Sequence, residues 1–117
     1  MLYPMCRVKI KGGIVTGKEL YYNGSISIDP VILNRADIIP GDMVDVLNLN
    51  NGARVSTYVI EGASNTGEIC LNGPAARWFE TGDEVVILST CLVEPEERKT
   101  LSLKVVELAG GNKDIKA

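Results

Sequence analysis

Turn-forming residues recur at short intervals along this sequence and leave little room for long helices. The turns are rich in Gly, Asn, Asp and Pro and lie at 11–13, 22–24, 39–42, 50–52, 64–67 and 81–83. Between them lie short runs that alternate polar and apolar residues or are continuously apolar, at 7–10, 25–28, 43–49, 54–60, 68–71 and 84–93. Such runs bounded by turns are typical of strands. The sequence therefore predicts a small, mainly β barrel with short helices.

Two short helices are predicted between the strands. Asp29 and Pro30 form a cap followed by a proline at the first helical position, and this helix is expected to end near Ala36. A second helix of the same kind opens at Asn72 and is expected to run through Phe79.

The chain also repeats itself, because a Gly-Asp turn followed by an apolar strand occurs twice. Residues 41–47 align with residues 82–88, forty-one positions later. The repeat predicts two interlocked halves, related by a pseudo-two-fold axis, that close a single barrel. Beyond the second copy we expect a loop, one more strand over 101–108 and a frayed C-terminal end.

Size and charge limit the possible classes of function. A chain of 117 residues that is 45% hydrophobic and 23% charged fits a single domain over 1–117. Its 12 basic and 15 acidic residues, with a pI near 4.9, provide no basic surface for nucleic acid or an anionic membrane. The N-terminus lacks a basic segment followed by an apolar one, and no run of about 18 apolar residues occurs. We therefore expect a cytoplasmic protein with no nucleic-acid or membrane partner.

The sequence contains no histidine. This excludes Ser-His-Asp and Cys-His catalytic systems and metal sites that use histidine. Cys6, Cys70 and Cys91 are odd in number and lie in apolar runs, so we expect reduced, buried thiols rather than disulfides or a zinc site. No glycine-rich nucleotide-binding motif occurs. Any catalysis must use a group built from the chain itself, and no metal is expected.

The bond between Gly24 and Ser25, where a turn meets a strand, can supply such a group. The Ser25 hydroxyl can attack the carbonyl of Gly24, whose lack of a side chain leaves the tetrahedral centre uncrowded, and the amide becomes an ester. Elimination of this ester and hydrolysis of the resulting dehydroalanine would release ammonia and leave a pyruvoyl group at position 25. A ketone there can accept electrons as pyridoxal phosphate does. Because Gly-Ser is a common turn dipeptide, the bond alone identifies no enzyme.

This bond belongs to a wider set of motifs spread over residues 9–88. The motifs are Lys9, Tyr22-Asn23-Gly24-Ser25, Asn51-Gly52-Ala53-Arg54-Val55-Ser56-Thr57-Tyr58 and Asn72-Gly73-Pro74-Ala75-Ala76. Together they resemble the pyruvoyl-dependent aspartate 1-decarboxylases, which make β-alanine for pantothenate biosynthesis.

The resemblance implies a fold, an activity and an assembly. The fold is a double-psi β-barrel. The activity is decarboxylation of L-aspartate to β-alanine and CO2 through a Schiff base with a pyruvoyl group derived from Ser25, without a metal or pyridoxal phosphate. The precursor would cleave itself into a β chain, residues 1–24, and an α chain, residues 25–117, in some members with the help of a maturation factor. The assembly is a homotetramer with sites between neighbouring subunits.

Arg54 and Lys9 are the candidate ligands of the substrate's side-chain carboxylate. The guanidinium of Arg54 is a planar fork suited to a carboxylate, and Lys9 adds a second positive charge. A cation on the departing α-carboxylate would instead stabilise the ground state and oppose the loss of CO2. As in the family, Tyr58 is the expected proton donor. In an extended strand Arg54, Ser56 and Tyr58 share one face, whereas Thr57, which the family also uses in processing and near the pyruvoyl group, points to the other.

The segment from Asn72 to Ala75 would place a helix N-terminus beside the substrate. Its free N–H groups suit an anion, and Gly73 and Ala75 are better donors than Pro74, which has no N–H and can only line the pocket. Asn72 is expected either to cap the helix or to bond the enolic oxygen of the reaction. Tyr22 is expected to orient the scissile peptide.

Three other functions remain open from the sequence. A barrel of similar topology can bind DNA, as transition-state-regulator type domains do, although the acidic pI and the lack of a basic face argue against it. An enzyme-like chain can also remain uncleaved and serve as a structural or regulatory subunit. Finally, pyruvoyl chemistry can act on a different acidic amino acid, since Lys9 and Arg54 indicate an acidic side chain without fixing its length.

Overall fold

Nine strands, one α-helix and two 3-10 helices make up the computed structural model, which describes residues 1–117. The strands are β1 Tyr3–Ile14, β2 Gly17–Glu19, β3 Ser25–Ile28, β4 Met43–Asn48, β5 Arg54–Glu61, β6 Ile69–Asn72, β7 Glu84–Val93, β8 Lys104–Ala109 and β9 Asp114–Lys116. Helix α1 spans Pro30–Ala36, and the 3-10 helices span Gly73–Trp78 and Pro95–Lys99. None of the helices has the length and apolar character needed to cross a membrane.

The nine strands form one mixed sheet in the order β2-β6-β3-β5-β4-β7-β1-β8-β9. β4 lies between β5 and β7 and pairs antiparallel with both. β3 pairs parallel with β5 and antiparallel with β6, whereas β1 pairs antiparallel with β7 and parallel with β8. The mainly β, single-domain fold is confirmed, and closure of the sheet into a double-psi barrel stays a prediction.

The two repeated segments pair with each other in the middle of the sheet. In the antiparallel pair of β4 and β7, Val46 lies opposite Ile87, and these two residues are equivalent in the sequence repeat. A local two-fold axis therefore passes between them.

Each Gly-Asp turn makes the same two backbone hydrogen bonds to a valine elsewhere in the chain. The bonds are Gly41 N to Val59 O (2.8 Å) and Val59 N to Asp42 O (3.0 Å) in one half, and Gly82 N to Val15 O (2.8 Å) and Val15 N to Asp83 O (2.9 Å) in the other. The internal pseudo-symmetry predicted from the sequence is therefore present in the structure.

The apolar core lies on the inner face of the strands. Twenty buried hydrophobic residues form one cluster, each no more than 3% exposed. In β4, Val44 and Val46 belong to this cluster while Asp45 between them lies on the outer face. The period of two along each strand leaves an outer face on which polar side chains of adjacent strands can meet.

Helix α1 starts and ends where the sequence predicts. The carboxylate of Asp29 accepts hydrogen bonds from the backbone N–H groups of Val31 (2.9 Å), Asn65 (3.1 Å) and Gly67 (2.9 Å). Burial opposes ionisation of this carboxyl group, but the backbone donors together outweigh it and lower the pKa of Asp29. Asp29 thus fastens the start of α1 to the turn at 64–67.

The frayed C-terminal end expected from the sequence is wrong. Residues Asp114–Lys116 form β9, which pairs with β8. Asn112 is 1% exposed, and its side chain accepts a hydrogen bond from Ile14 N (2.8 Å) and donates to Ile14 O (2.8 Å) and Gly67 O (2.8 Å). The end is ordered because this amide satisfies backbone groups of two other segments.

The expectation of fully buried cysteines is also wrong. Cys6, Cys70 and Cys91 are free thiols, as expected, but each is only partly buried. Cys70 alternates with the core residues Ile69 and Leu71 and therefore lies on the outer face of β6.

Candidate active site

Ser25 is the first residue of β3, and its hydroxyl is enclosed. The residue is 1% exposed and lies opposite Asn72 in the antiparallel pair of β3 and β6. Its Oγ accepts a hydrogen bond from Asn72 Nδ2 (3.0 Å) and donates one to the carbonyl oxygen of Asn23 (3.1 Å). The hydroxyl is therefore held in one orientation rather than free to turn into solvent.

The amide of Asn72 organises the polar group around Ser25. Its Nδ2 donates also to Ser27 Oγ (2.9 Å), and its Oδ1 accepts a hydrogen bond from the Cys70 thiol (3.5 Å). Ser25 and Ser27 are two positions apart on one strand, so both hydroxyls lie on the same face as this amide. The Asn72 side chain does not cap the helix that follows, because its donors are used across the sheet.

Gly73 packs directly against the chain at Gly24. It has a φ of +75°, which residues with a side chain rarely adopt, and a Cβ at this position would lie 2.6 Å from Gly24 Cα. Only glycine permits so close an approach. The corner between β6 and the 3-10 helix Gly73–Trp78 therefore lies immediately behind the bond that the sequence singles out.

Tyr58 lies beside Ser25 on the neighbouring strand. β3 and β5 are parallel, with Ile26 opposite Val59, so Ser25 and Tyr58, which precede them, are about one strand spacing apart, roughly 5 Å. Tyr58 is 39% exposed on the outer face. Thr57 is 8% exposed on the core side, and the register of β4 with β5 contains no shift that would turn it outward.

Arg54 is tied to a carboxylate on the adjacent strand. Its Nη2 donates to Asp45 Oδ2 (2.9 Å), and Ser56 Oγ donates to Asp45 Oδ1. The hydrogen bond from Ser56 and, to a smaller extent, Arg54 lower the pKa of Asp45, although burial acts in the opposite direction. Arg54 and Ser56 share the outer face of β5 with Tyr58, as the alternation along the strand predicts.

Lys9 lies on the same outer face, in one row with this carboxylate. Lys9 is opposite Leu88, Leu88 is opposite Asp45, and Asp45 is opposite Ser56. Lys9, Leu88 and Asp45 each lie between two buried residues of their strand, and Ser56 is exposed, so all four side chains are on the outer face. The row across four strands is therefore Lys9, Leu88, Asp45 and Ser56, with the apolar Leu88 between the lysine and the carboxylate.

The two cations are separated from Ser25 along the sheet. β1, which carries Lys9, is four steps from β3 in the sheet, about 19 Å at the usual strand spacing. Arg54 lies four residues before Tyr58, about 13 Å along an extended strand. Along the sheet, therefore, Ser25 and Tyr58 are neighbours, whereas Lys9 and Arg54 are separated from them by several strands or residues.

Comparison with known proteins identifies a family. Residues 1–115 match the family model described as aspartate decarboxylase. The chain belongs to the aspartate decarboxylase family. The family predicted from the sequence motifs is thereby confirmed.

Curated aspartate decarboxylases match the chain over nearly its whole length. The aspartate 1-decarboxylase of Francisella tularensis subsp. novicida is 48% identical over 112 residues, which cover 96% of this chain and 100% of the relative. That of Thermoanaerobacter pseudethanolicus is 45% identical over 111 residues, 95% of both chains. That of Caldicellulosiruptor saccharolyticus is 44% identical over 116 residues, 99% of this chain and 91% of the relative.

Other residues predicted for an aspartate decarboxylase site lie at its edge. The side chain of Tyr22 is 56% exposed and makes no hydrogen bond to the scissile peptide, although its backbone carbonyl oxygen lies close to Gly73. Pro74 is exposed, and Ala75 is partly buried against the core.

A cavity of about 520 Å³ opens beside the Asn72 amide. Its walls include Cys70 and the carboxylates of Glu19 and Glu68. Burial raises the pKa of the Cys70 thiol, and the charges of Glu68 and Glu19 act in the same direction. The thiol therefore stays protonated near neutral pH, the form that can donate to Asn72. The chain contains no group of three or more His, Cys, Asp or Glu side chains arranged to hold a metal ion.

Three residues that contact the predicted site residues are not predicted from the sequence: Ser27, Cys70 and Asp45. The period of two could have indicated Ser27, which is two positions after Ser25, and Cys70, which is two before Asn72. Asp45 could have been noticed as an acid between apolar neighbours in a strand, but its partner on β5 depends on strand pairing.

Proposed function

We propose that this chain is a self-processing aspartate 1-decarboxylase that converts L-aspartate to β-alanine and CO2. The observation that carries the proposal is the Ser25 hydroxyl, 1% exposed and hydrogen-bonded to Asn72, in a member of the aspartate decarboxylase family. A serine in an ordinary surface turn would instead have its hydroxyl in water.

Processing begins with attack of Ser25 Oγ on the carbonyl carbon of Gly24. The bond from that carbon to the Ser25 nitrogen breaks, the nitrogen gains the hydroxyl proton, and an ester links the two residues. Elimination across Cα and Cβ then releases residues 1–24 with a free carboxylate and leaves dehydroalanine at position 25. Hydrolysis of the dehydroalanine releases ammonia and leaves the pyruvoyl cap of residues 25–117. Asn72 supports the first step because it orients the attacking oxygen.

A pyruvoyl group fits the surroundings of Ser25. Elimination removes Ser25 Oγ with the Gly24 carboxylate, so Asn72 Nδ2, which donates to that oxygen before cleavage (3.0 Å), would be released to donate to the new ketone oxygen on Cα of residue 25. The group would supply an electron-withdrawing ketone that takes up the electrons left as CO2 departs. The chain itself then has to bind the substrate, orient it and return a proton.

We assign the return of the proton to Tyr58. It lies on the strand next to Ser25 and on the outer face, with its phenol partly accessible. In a chain without histidine, a neutral phenol is a suitable acid for the carbon from which CO2 has left.

We assign the substrate's side-chain carboxylate to Arg54 and Lys9. Both are cations on the outer face of the sheet, and Arg54 offers paired N–H donors. Gly73 and Ala75 are proposed as backbone donors to the substrate, with Pro74 and Tyr22 at the edge of the pocket. Thr57 is assigned an indirect role, because its side chain is on the core side of β5.

The distances within one chain support an assembly in which subunits share sites. Lys9 is about 19 Å from Ser25 along the sheet, whereas aspartate is a few ångströms long. We therefore propose a homotetramer in which Lys9 and Arg54 of one subunit approach Ser25 of a neighbour. The free thiols agree with a cytoplasmic enzyme, and a maturation factor can accelerate the cleavage.

The activity is tested by incubating the purified protein with L-aspartate and measuring β-alanine by amino-acid analysis. Equal rates of product formation from L-aspartate and L-glutamate would mean that Arg54 and Lys9 do not fix the side-chain length. The Ser25→Ala variant should form no product. If the unsubstituted protein forms none either, in the presence of an extract that supplies a maturation factor, the proposal is wrong.

A further inference from the structure

We propose that Asp45 is a positioning residue that holds Arg54 for the substrate carboxylate. The inference rests on the proposed function, because it concerns the ligand assigned to Arg54. The observation behind it is the chain of contacts from Ser56 through Asp45 to Arg54, which lies on the outer face of two adjacent strands.

The ion pair between Asp45 and Arg54 joins residues that are not directly opposite each other, so the Arg54 side chain has to lean along the strand to reach Asp45. Arg54 is opposite Leu47, whereas Asp45 is opposite Ser56. The guanidinium therefore leans along the sheet, away from its own row and into the row of Asp45. Lys9 occupies the same row two strands away, about 10 Å from Asp45. Asp45 thus brings the Arg54 charge into line with the second cation.

The contact with Asp45 leaves most of the guanidinium free. Only Nη2 of Arg54 donates to the carboxylate (2.9 Å), and a guanidinium has five N–H donors. The Arg54 side chain is 57% exposed and that of Asp45 is 25% exposed. Without Asp45, an arginine with this exposure would sample many rotamers. Substrate binding would then have to order the side chain, and the lost conformational entropy would weaken the affinity.

Asp45 is itself fixed, as a positioning residue must be. Its second carboxylate oxygen accepts the hydrogen bond from Ser56, so the two oxygens have separate partners. The same bond favours the charged form of Asp45. Asp45 therefore stays ionised at neutral pH and in one orientation.

If Asp45 instead competes with the substrate for Arg54, its removal would change the binding affinity in the opposite direction. A carboxylate on Arg54 can also act as an internal competitor of the substrate, and removing it would then tighten binding. The affinity for a dicarboxylate separates the two roles. Succinate is the suitable probe, because it has the two carboxylates of aspartate but no amine and so reports carboxylate contacts alone.

The experiment measures succinate binding by calorimetry and aspartate kinetics on the purified, processed protein. Asp45→Ala should weaken succinate binding about tenfold, as expected for loss of one charged hydrogen-bond contact. KM for aspartate should rise by the same factor, while kcat and self-cleavage stay close to those of the parent. Asp45→Asn, which retains an acceptor for Arg54, should fall between the parent and Asp45→Ala.

Two controls make the test specific. In an Arg54→Ala background, Asp45→Ala should have no further effect on succinate binding, because its action passes through Arg54. Glu107→Ala removes another acid that pairs with a lysine on the outer face, Lys11 at 3.9 Å, and should leave succinate binding unchanged. Equal or tighter binding in Asp45→Ala, or the same loss in both backgrounds, overturns the inference.

The outcome separates this inference from the proposed function. If the parent turns over aspartate while Asp45→Ala binds succinate normally, the function stands and the role of Asp45 is wrong. If the parent binds succinate in an Asp45-dependent way but never cleaves or turns over aspartate, the decarboxylase proposal fails and the positioning of Arg54 stands.

Discussion

At the scale of single residues, the site depends on one side-chain amide. Asn72 is 2% exposed, and its Nδ2 donates to two serine hydroxyls while its Oδ1 accepts from a thiol. An asparagine can satisfy these partners because it is both donor and acceptor, whereas the isosteric aspartate has no donor. The orientation of Ser25 before cleavage is therefore attributed to Asn72.

Replacing Asn72 by alanine should slow self-cleavage. Ser25 and Ser27 would each lose a buried donor, and we expect a loss of about 1–3 kcal/mol in the free energy of unfolding. Asn34→Ala, on the exposed side of α1, is the matched control. The measurement is the cleaved fraction by intact mass over time, on protein whose fold is checked by thermal melting. Cleavage of folded Asn72→Ala at the parental rate would show that Asn72 does not orient Ser25.

Replacing Tyr58 by phenylalanine should separate cleavage from turnover. The variant keeps the ring but loses the acid, so kcat should fall by about 10²-fold or more while cleavage and KM change little. Tyr21→Phe, at a side chain that is 97% exposed, is the control and should retain full activity. The measurement is steady-state kinetics with aspartate. A kcat for Tyr58→Phe within a factor of two of the parent would show that Tyr58 is not the proton donor.

At the scale of elements, the sequence predicts strands well and the relations between strands poorly. The alternation in β5 correctly places Arg54, Ser56 and Tyr58 on one face, since this relation is local to one strand. The partners of Asn72 are 47 and 45 positions away. Of its two expected roles, the helix cap is wrong, and the bond to the enolic oxygen stays a prediction. Such partners are set by strand order and register, which turn residues and hydrophobic periodicity do not determine.

Asp29 shows how a local signal becomes a tertiary contact. The cap on α1 is predicted from Asp29 and Pro30, but the same carboxylate also accepts from the backbone of Asn65 and Gly67. No feature near Asp29 in the sequence indicates these two donors. A residue that caps one element therefore also fixes a distant turn.

Asp29→Asn should lower the free energy of unfolding and make it depend less on pH in the acid range. The pKa of Asp29 is lowered from 3.8 on folding, so its contribution is complete above about pH 5 and is lost as pH falls through the folded pKa. The variant should lose about 1–2 kcal/mol at pH 7 and less at pH 3. Urea unfolding at both pH values measures this. Asp37→Asn, at the exposed left-handed C-cap of α1, should match the parent, and a uniform loss for Asp29→Asn at both pH values would contradict the account.

At the scale of the whole molecule, the two repeats form one continuous sheet, whereas the proposed site residues lie on strands that are far apart in it. Pairing of Val46 with Ile87 joins the two repeats into one sheet. The proposed site residues are spread over the sheet, because Ser25 and Tyr58 lie on neighbouring strands while Lys9 lies four strands from Ser25. A functional unit would therefore need more than one chain.

Mixed assemblies should reveal shared sites. Lys9→Ala and Ser25→Ala should each be inactive alone, yet their co-expression should give β-alanine formation above either variant, because some sites combine an intact Lys9 with an intact Ser25 of a neighbour. Co-expression of Tyr58→Phe with Ser25→Ala is the control and should give no recovery, since these residues come from the same chain. Absence of recovery in the first pair, with mixed oligomers confirmed by native mass spectrometry, would rule out sites shared in this way.

The intact mass of the purified protein tests the central claim, that Ser25 becomes the catalytic group. We expect two pieces, residues 1–24 and residues 25–117, with the larger piece one ammonia lighter than a fragment produced by simple hydrolysis. The Ser25→Ala variant should give one piece with the mass of the full chain. A single uncut chain for the unsubstituted protein, even after incubation with an extract of its source cells, or two pieces that both have hydrolytic masses, would contradict the account.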